Sequence, residues 1–109
     1  MYYVPKVLPL AVKIDCQDAE PSIIAGGTRT LAKADLIMCE FWPWGMRRMG
    51  LSSAPILEFA AGNFPFAQVL QHDQAPGKPL PVSDAMRVLQ TLIDDGGEFA
   101  QADLVLTRE

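Results

Sequence analysis

Two carboxylates stand where apolar runs give out. Asp15 follows the run Leu8–Ile14, and Glu40 sits near the end of the run Asp35–Phe41. A carboxylate in such a place can orient or deprotonate a substrate hydroxyl as a general base. The plainer reading is a strand-end acid that caps the next helix or meets solvent. Just beyond Glu40, the stretch FWPWGMRRMG gathers Trp42, Trp44, Arg47 and Arg48. Indole faces in a loop can stack on sugars, or they can pack as core or lid. An arginine fork can hold a phosphate or carboxylate, or the two arginines can be a solvated surface pair. Gln17, Asp18 and Glu20 suit the polar start of a helix. His72-Asp73 sets a histidine beside an acid, but a lone His in a proline-rich loop reads first as a surface residue. Cys16 and Cys39 form neither a CxxC pair nor a disulfide framework, and no metal-ligand spacing links them to the histidine. No metal site is expected.

Positioning these groups requires strands and helices. Leu8–Ile14 reads as a strand buried on both faces of a parallel sheet. Asp18 can cap the helix that follows, with Glu20 and Pro21 in its first turn and Ile23, Ile24 and Leu31 on one face. Gly26-Gly27 weakens that helix by roughly 1 kcal/mol per glycine, and close packing on the sheet is one use for such a pair. Asp35–Phe41 is a second strand, and residues 42–50 read as a loop. Ser53 looks like the cap of a helix over Ala54–Ala61, stopped by Gly62-Asn63. Phe64–Leu70 is a third strand, with Pro65 favouring an edge or a strand start. Residues 71–82 read as a loop, and Ser83 as the cap of a helix over Asp84–Asp95 ended by Gly96-Gly97. Met86, Leu89, Leu92 and Ile93 give that helix its apolar stripe. Asp103–Thr107 is a short last strand. Alternation of this kind predicts an α/β fold with a mostly parallel sheet and crossover helices. Ligands in such sheets sit beyond the carboxyl ends of the strands, where Asp15 and Glu40 fall.

The totals narrow the classes. A chain of 109 residues makes one small domain, and half its residues are hydrophobic. Thirteen acids against nine bases give a net charge of −4, which disfavours nucleic acid or an anionic membrane as the main partner. Lys6 and Lys13 interrupt the first apolar segment, so no signal peptide is read. No stretch approaches the ~20 apolar residues of a membrane span. A cytoplasmic protein with reduced thiols is the expectation.

The run VKID, an acid-rich turn ending in AE, and then IIAGGTRTLAKADLIMCEF together resemble the signature of FkbM-type methyltransferases. Lys13, Ile14, Asp15 and Glu20 match that pattern directly, and Ile24, Gly26, Leu31, Asp35 and Glu40 also fit. The resemblance covers roughly residues 10–70. Cys16, Gln17 and Asp18 stand where the family usually has valine, glutamate and glycine. The resemblance implies an S-adenosylmethionine-dependent O-methyltransferase acting on a hydroxyl of a sugar, polysaccharide or natural product. Asp15 and Glu40 would be its catalytic carboxylates, with Trp42, Trp44 and Arg47 toward the acceptor. It implies a Rossmann-like sheet of order 3-2-1-4-5-7-6 with the last strand antiparallel, although the residues alone allow either direction. VKID corresponds to the fourth strand of that sheet, and no G-x-G loop for the cofactor occurs in the 109 residues. The chain therefore looks like a partial domain, strands 4 to 7, expected to be inactive alone. In such a half the VKID strand is left at an exposed edge, ready to pair with another copy or with a separate N-terminal half. The rival expectation is a non-catalytic remnant or interaction module that uses the same edge.

Overall fold

The computed structural model describes residues 10–14, 19–71 and 78–108. The chain runs β1 (Ala11–Ile14), α1 (Glu20–Leu31), β2 (Leu36–Phe41), α2 (Pro43–Arg48), α3 (Ala54–Asn63), β3 (Phe66–Leu70), β4 (Leu80–Pro81), α4 (Val82–Asp95) and β5 (Ala102–Thr107). The fold is α/β, built on an open five-stranded mixed sheet of order β1-β2-β5-β3-β4.

Only β1 and β2 pair in parallel; β2–β5, β5–β3 and β3–β4 are antiparallel. The expectation of a mostly parallel sheet is corrected here. The cause is one strand: β5 enters between β2 and β3 and runs against both, so neighbours that share a direction never meet there. The α1 crossover between β1 and β2 is the part of the sheet that follows the parallel rule.

Register fixes the faces. Ile14 aligns with Cys39 and Leu104, Ile37 with Leu106 and Ala67, and Phe41 with Ala102. All of these are buried and form the core with Ile24 of α1, Met46 of α2, Ile56 and Phe59 of α3, and Leu89 of α4. Removing each of the Ile, Leu, Phe and Met side chains among them from water stabilises the fold by about 1.5–3 kcal/mol. On the opposite face, Ala11, Lys13, Leu36 and Asp103 are exposed, Met38, Glu40, Phe66 and Gln68 are half-buried, and Val105 is buried. The strand at β1 is thus buried on one face, not on both, because its odd-numbered residues lie on the open side.

Several local expectations shift in instructive ways. Helix α1 opens after Ala19, and Asp18, the expected cap, lies outside the described residues. Gly27 leaves helical geometry (φ −111°, ψ 16°), so the glycine pair marks a kink. Neither glycine closes on the sheet: nothing lies within 4 Å of a Cβ built on Gly26, and Gly27 meets only Leu31 of its own helix. The loop read over residues 42–50 contains the short helix α2, begun by Pro43 in a first turn that needs no proline N–H. Ser53 does precede α3, but its hydroxyl lies 3.3 Å from the Met46 sulfur, and Ser52 Oγ accepts the Ala54 N–H instead. Helix α4 starts at Val82 rather than at Ser83's cap position, because the two-residue strand β4 runs directly into it. Gly96 ends α4 at φ 66°, as a left-handed cap should.

Candidate functional site

Strand β2 carries Glu40 to the carboxyl end of the sheet. Because β5 is antiparallel, its beginning lies at that same end, and Asp103 stands directly opposite Glu40. Lys13 of β1 aligns with Met38, one strand across and two residues back from Glu40, which makes it a diagonal neighbour on the same face. Lys13, Ile14, Met38, Cys39, Glu40 and Asp103 line an open cleft of about 120 Å³. That volume admits a handful of waters or one hydroxyl-bearing group of a larger molecule. Two carboxylates facing each other across a strand pair repel. A polyol or an ammonium lying between them would relieve that repulsion, and a hydroxyl proton would find two acceptors there.

Cys39 lies beneath the cleft, on the buried face. Burial above all, and then the carboxylates of Glu20, Asp103 and Glu40, push its thiol up to about 12. A thiol held protonated is a poor nucleophile and a poor metal ligand. Glu20, read from the sequence as a polar residue of the helix start, is fully buried at the first position of α1. There it meets the positive end of the helix, where a carboxylate is favoured.

The aromatic and basic cluster beside Glu40 is tied to the α4–β5 connection and to itself. The Trp42 indole N–H donates to the Glu98 carbonyl at 2.7 Å, and the Arg47 guanidinium donates to the Gly96 carbonyl. These two side chains fasten the connection between α4 and β5 to α2. Trp44 lies 5.1 Å from Trp42, ring centre to ring centre, and Arg48 stacks over it at 4.7 Å. The four residues do sit at the Glu40 end of the sheet. Trp44 and Arg48 are the pair whose described contacts are with this cluster alone.

Asp15 lies outside the described residues, as do Gln17, Asp18, His72 and Asp73. Among the described residues, no group of three or more His, Cys, Asp or Glu side chains could hold a metal ion. No helix among them is long and apolar enough to cross a membrane. Sequence reasoning missed Asp103 as a site residue. The available signal was its position at the start of the last apolar run, which becomes informative only once that run is known to be antiparallel. Comparison of the chain with protein-family models, with curated proteins and with solved structures gave no match.

Proposed function

We propose that the chain is the acceptor-side half of an S-adenosylmethionine-dependent O-methyltransferase of FkbM type. The observation that supports this is strand order taken together with direction. With VKID as the fourth strand, the implied order 4-5-7-6 corresponds to β1-β2-β5-β3, and the strand in seventh position is antiparallel to both neighbours. Composition and periodicity left that direction open.

The division of labour follows from the cleft. S-adenosylmethionine, when bound, supplies an electrophilic methyl group for transfer to oxygen. A cleft of about 120 Å³ does not fit it, since ligands of that size occupy roughly 300–1,000 Å³. No G-x-G sequence is present for it to rest on. Cofactor binding is therefore assigned to polypeptide other than the described residues. What the chain offers is the acceptor's side. Glu40 and Asp103 can accept hydrogen bonds from an acceptor hydroxyl, and Glu40 can take its proton as the oxygen becomes nucleophilic. Lys13 can donate to a neighbouring acceptor oxygen. By the resemblance, Asp15 shares the proton-accepting role with Glu40, and Trp42, Trp44 and Arg47 border the acceptor. Holding the hydroxyl still is itself a large part of such catalysis.

The test is calorimetric titration with S-adenosylmethionine. The chain alone is expected to give no binding heat. The chain joined to the polypeptide encoded directly upstream is expected to bind in the micromolar range, with a G-x-G loop in the added part. An upstream sequence without such a loop, or a joined protein that binds no cofactor, would overturn the proposal. The second reading, a non-catalytic interaction module, draws on a different observation: among the described residues, nothing pairs with the outer side of β1.

A further inference from the structure

Helix α2 divides its side chains among three tasks. Met46 enters the core. Arg47 donates to the Gly96 carbonyl, and its guanidinium lies so close that a Cβ built on Gly96 would stand 3.1 Å from it. Arg47 is thereby committed to the end of α4. Trp44 and Arg48 stand four residues apart, on one side of the helix, and the Arg48 guanidinium lies 4.7 Å over the Trp44 ring. Trp42 flanks Trp44 at 5.1 Å, ring centre to ring centre, and is itself fixed by its bond to the Glu98 carbonyl. Arg48 is exposed and makes no ion pair among the described residues.

We propose that Trp44 and Arg48 bind an oxyanion of the acceptor, a carboxylate or phosphate carried by a saccharide, away from the hydroxyl that reacts. The proposal rests on the acceptor-side reading of the cleft, and it moves the anion-holding role from Arg47 to Arg48. A guanidinium lying over an indole has one face covered and keeps its in-plane N–H groups for a partner at its edge. That edge takes a carboxylate or phosphate through two parallel hydrogen bonds. The ring beneath it restricts the side chain beforehand, so binding costs less ordering than at a lone surface arginine. Position agrees with this role. Helix α2 opens two residues after β2 ends, which keeps Trp44 within about 14 Å of Glu40 along the chain. Charge agrees as well. Glu40 and Asp103 repel an anion at the cleft itself, so a hydroxyl there and an anion at Arg48 is the division that suits both places. Trp42 and Trp44 are half-buried, and the indole surface they leave open suits the apolar face of a sugar ring.

The chain has two tryptophans, Trp42 and Trp44, so its intrinsic fluorescence reads this place directly. The full chain is titrated at low salt, where charge is least screened, with digalacturonate, with glucose 6-phosphate, and with maltose and glucose as neutral counterparts. A saturable change is expected in roughly the millimolar range for an anionic sugar, and about tenfold weaker for its neutral counterpart. A response to digalacturonate alone names a carboxylate as the anion, and a response to glucose 6-phosphate alone names a phosphate; either supports the proposal. Arg48→Gln is expected to bring the anionic sugar down to the affinity of the neutral one. Arg48→Lys should fall in between, because the charge stays and the fork is lost. Arg87→Gln removes the same charge from an exposed arginine of α4 and is expected to leave the affinity unchanged. Absence of a saturable change with both anionic probes overturns the proposal, as does equal affinity for the neutral sugars. So does an Arg48→Gln variant that binds like the wild type, or an equal loss in Arg87→Gln. If Arg48→Gln fails to fold, Arg48→Lys decides, and wild-type affinity there overturns the proposal. The methyltransferase reading falls separately. An anion preference in the chain, with no cofactor bound by the joined protein, sinks that reading alone; cofactor bound by the joined protein, with no anion preference in the chain, sinks this one alone.

Discussion

The two ends of the sheet are built on opposite plans. At one end, Arg108 follows the last residue of β5 and gathers the chain around itself. Its guanidinium donates to the carbonyls of Asn63 at 2.8 Å, Ala34 at 3.0 Å and Ala32, and it lies 4.4 Å over the Phe64 ring. One side chain thereby satisfies carbonyls at the ends of both α1 and α3 and ties them to β5. At the other end two side chains divide that task, Trp42 donating to the Glu98 carbonyl and Arg47 to the Gly96 carbonyl. There two carboxylates face each other beside a lysine, and the sheet opens into a cleft. One end gathers three carbonyls on a single guanidinium, and the other sets Glu40 and Asp103 opposite each other at the lining of a cleft. The difference agrees with the general placement of ligands beyond the carboxyl ends of strands, here β1 and β2.

Replacing the clasp is expected to have the largest effect. Arg108→Ala should lower stability by about 2–3 kcal/mol, since hydrogen bonds to charged groups and a cation–π contact are lost together. Thermal unfolding measures it, and a midpoint within a degree or two of the wild type would break the contrast between the ends. Arg108→Lys should fall in between, because a point charge cannot reach three carbonyls at once.

The open end carries a pH signature of intermediate size. Cys39 has its thiol raised to about 12 in the fold by burial and nearby carboxylates. In the unfolded chain a thiol ionises near pH 8.5. The unfolded state therefore loses a proton first, and the stabilising difference is complete below pH 8.5 and lost as pH rises toward 12. Denaturant unfolding should show stability falling by about 2 kcal/mol between pH 9 and 11, and Cys39→Ala should remove that fraction of the fall. An equal slope in the variant would show that the thiol does not carry it.

The smallest effect sharpens the comparison most. Asp103→Asn keeps the shape of the cleft but ends the carboxylate opposition. It should raise stability by about 0.5 kcal/mol, opposite in sign to the Arg108 change. Chemical denaturation at low salt is the measurement. A loss of stability would mean that Asp103 holds the fold together rather than serving the cleft.

Much of this architecture is legible in the residues. The apolar run at Leu36–Phe41, the stripe of α4 and the glycine stop at Gly96 each follow from local chemistry, and local chemistry is what a sequence displays. The short helix α2 is hidden because its proline, glycine and tryptophans carry the composition of a loop. Its helical state depends on Met46 entering the core and on Trp42 and Arg47 reaching the α4–β5 connection. The Glu40–Asp103 opposition is hidden for a different reason. It depends on the direction of β5, and a short alternating run looks the same read either way. Arg108 is hidden as well, since a single arginine near a strand end gives no sign of the distant carbonyls it will meet.

The place of β5 also bears on how the molecule comes into being. Leu36 pairs with Thr107, and Phe66 pairs with that same Thr107 from the other side. Among the described strands, the middle one of the assembled sheet is the last one synthesised. Until residues 102–107 emerge, β1–β2 and β3–β4 have no strand between them, and among the described contacts α1 packed on α3 and α2 on α4 join the two parts. Loop closure over so long a stretch slows folding. A nascent chain stopped before Ala102 would carry two incomplete sheets with bare inner edges, and the arrival of β5 closes both in a single step.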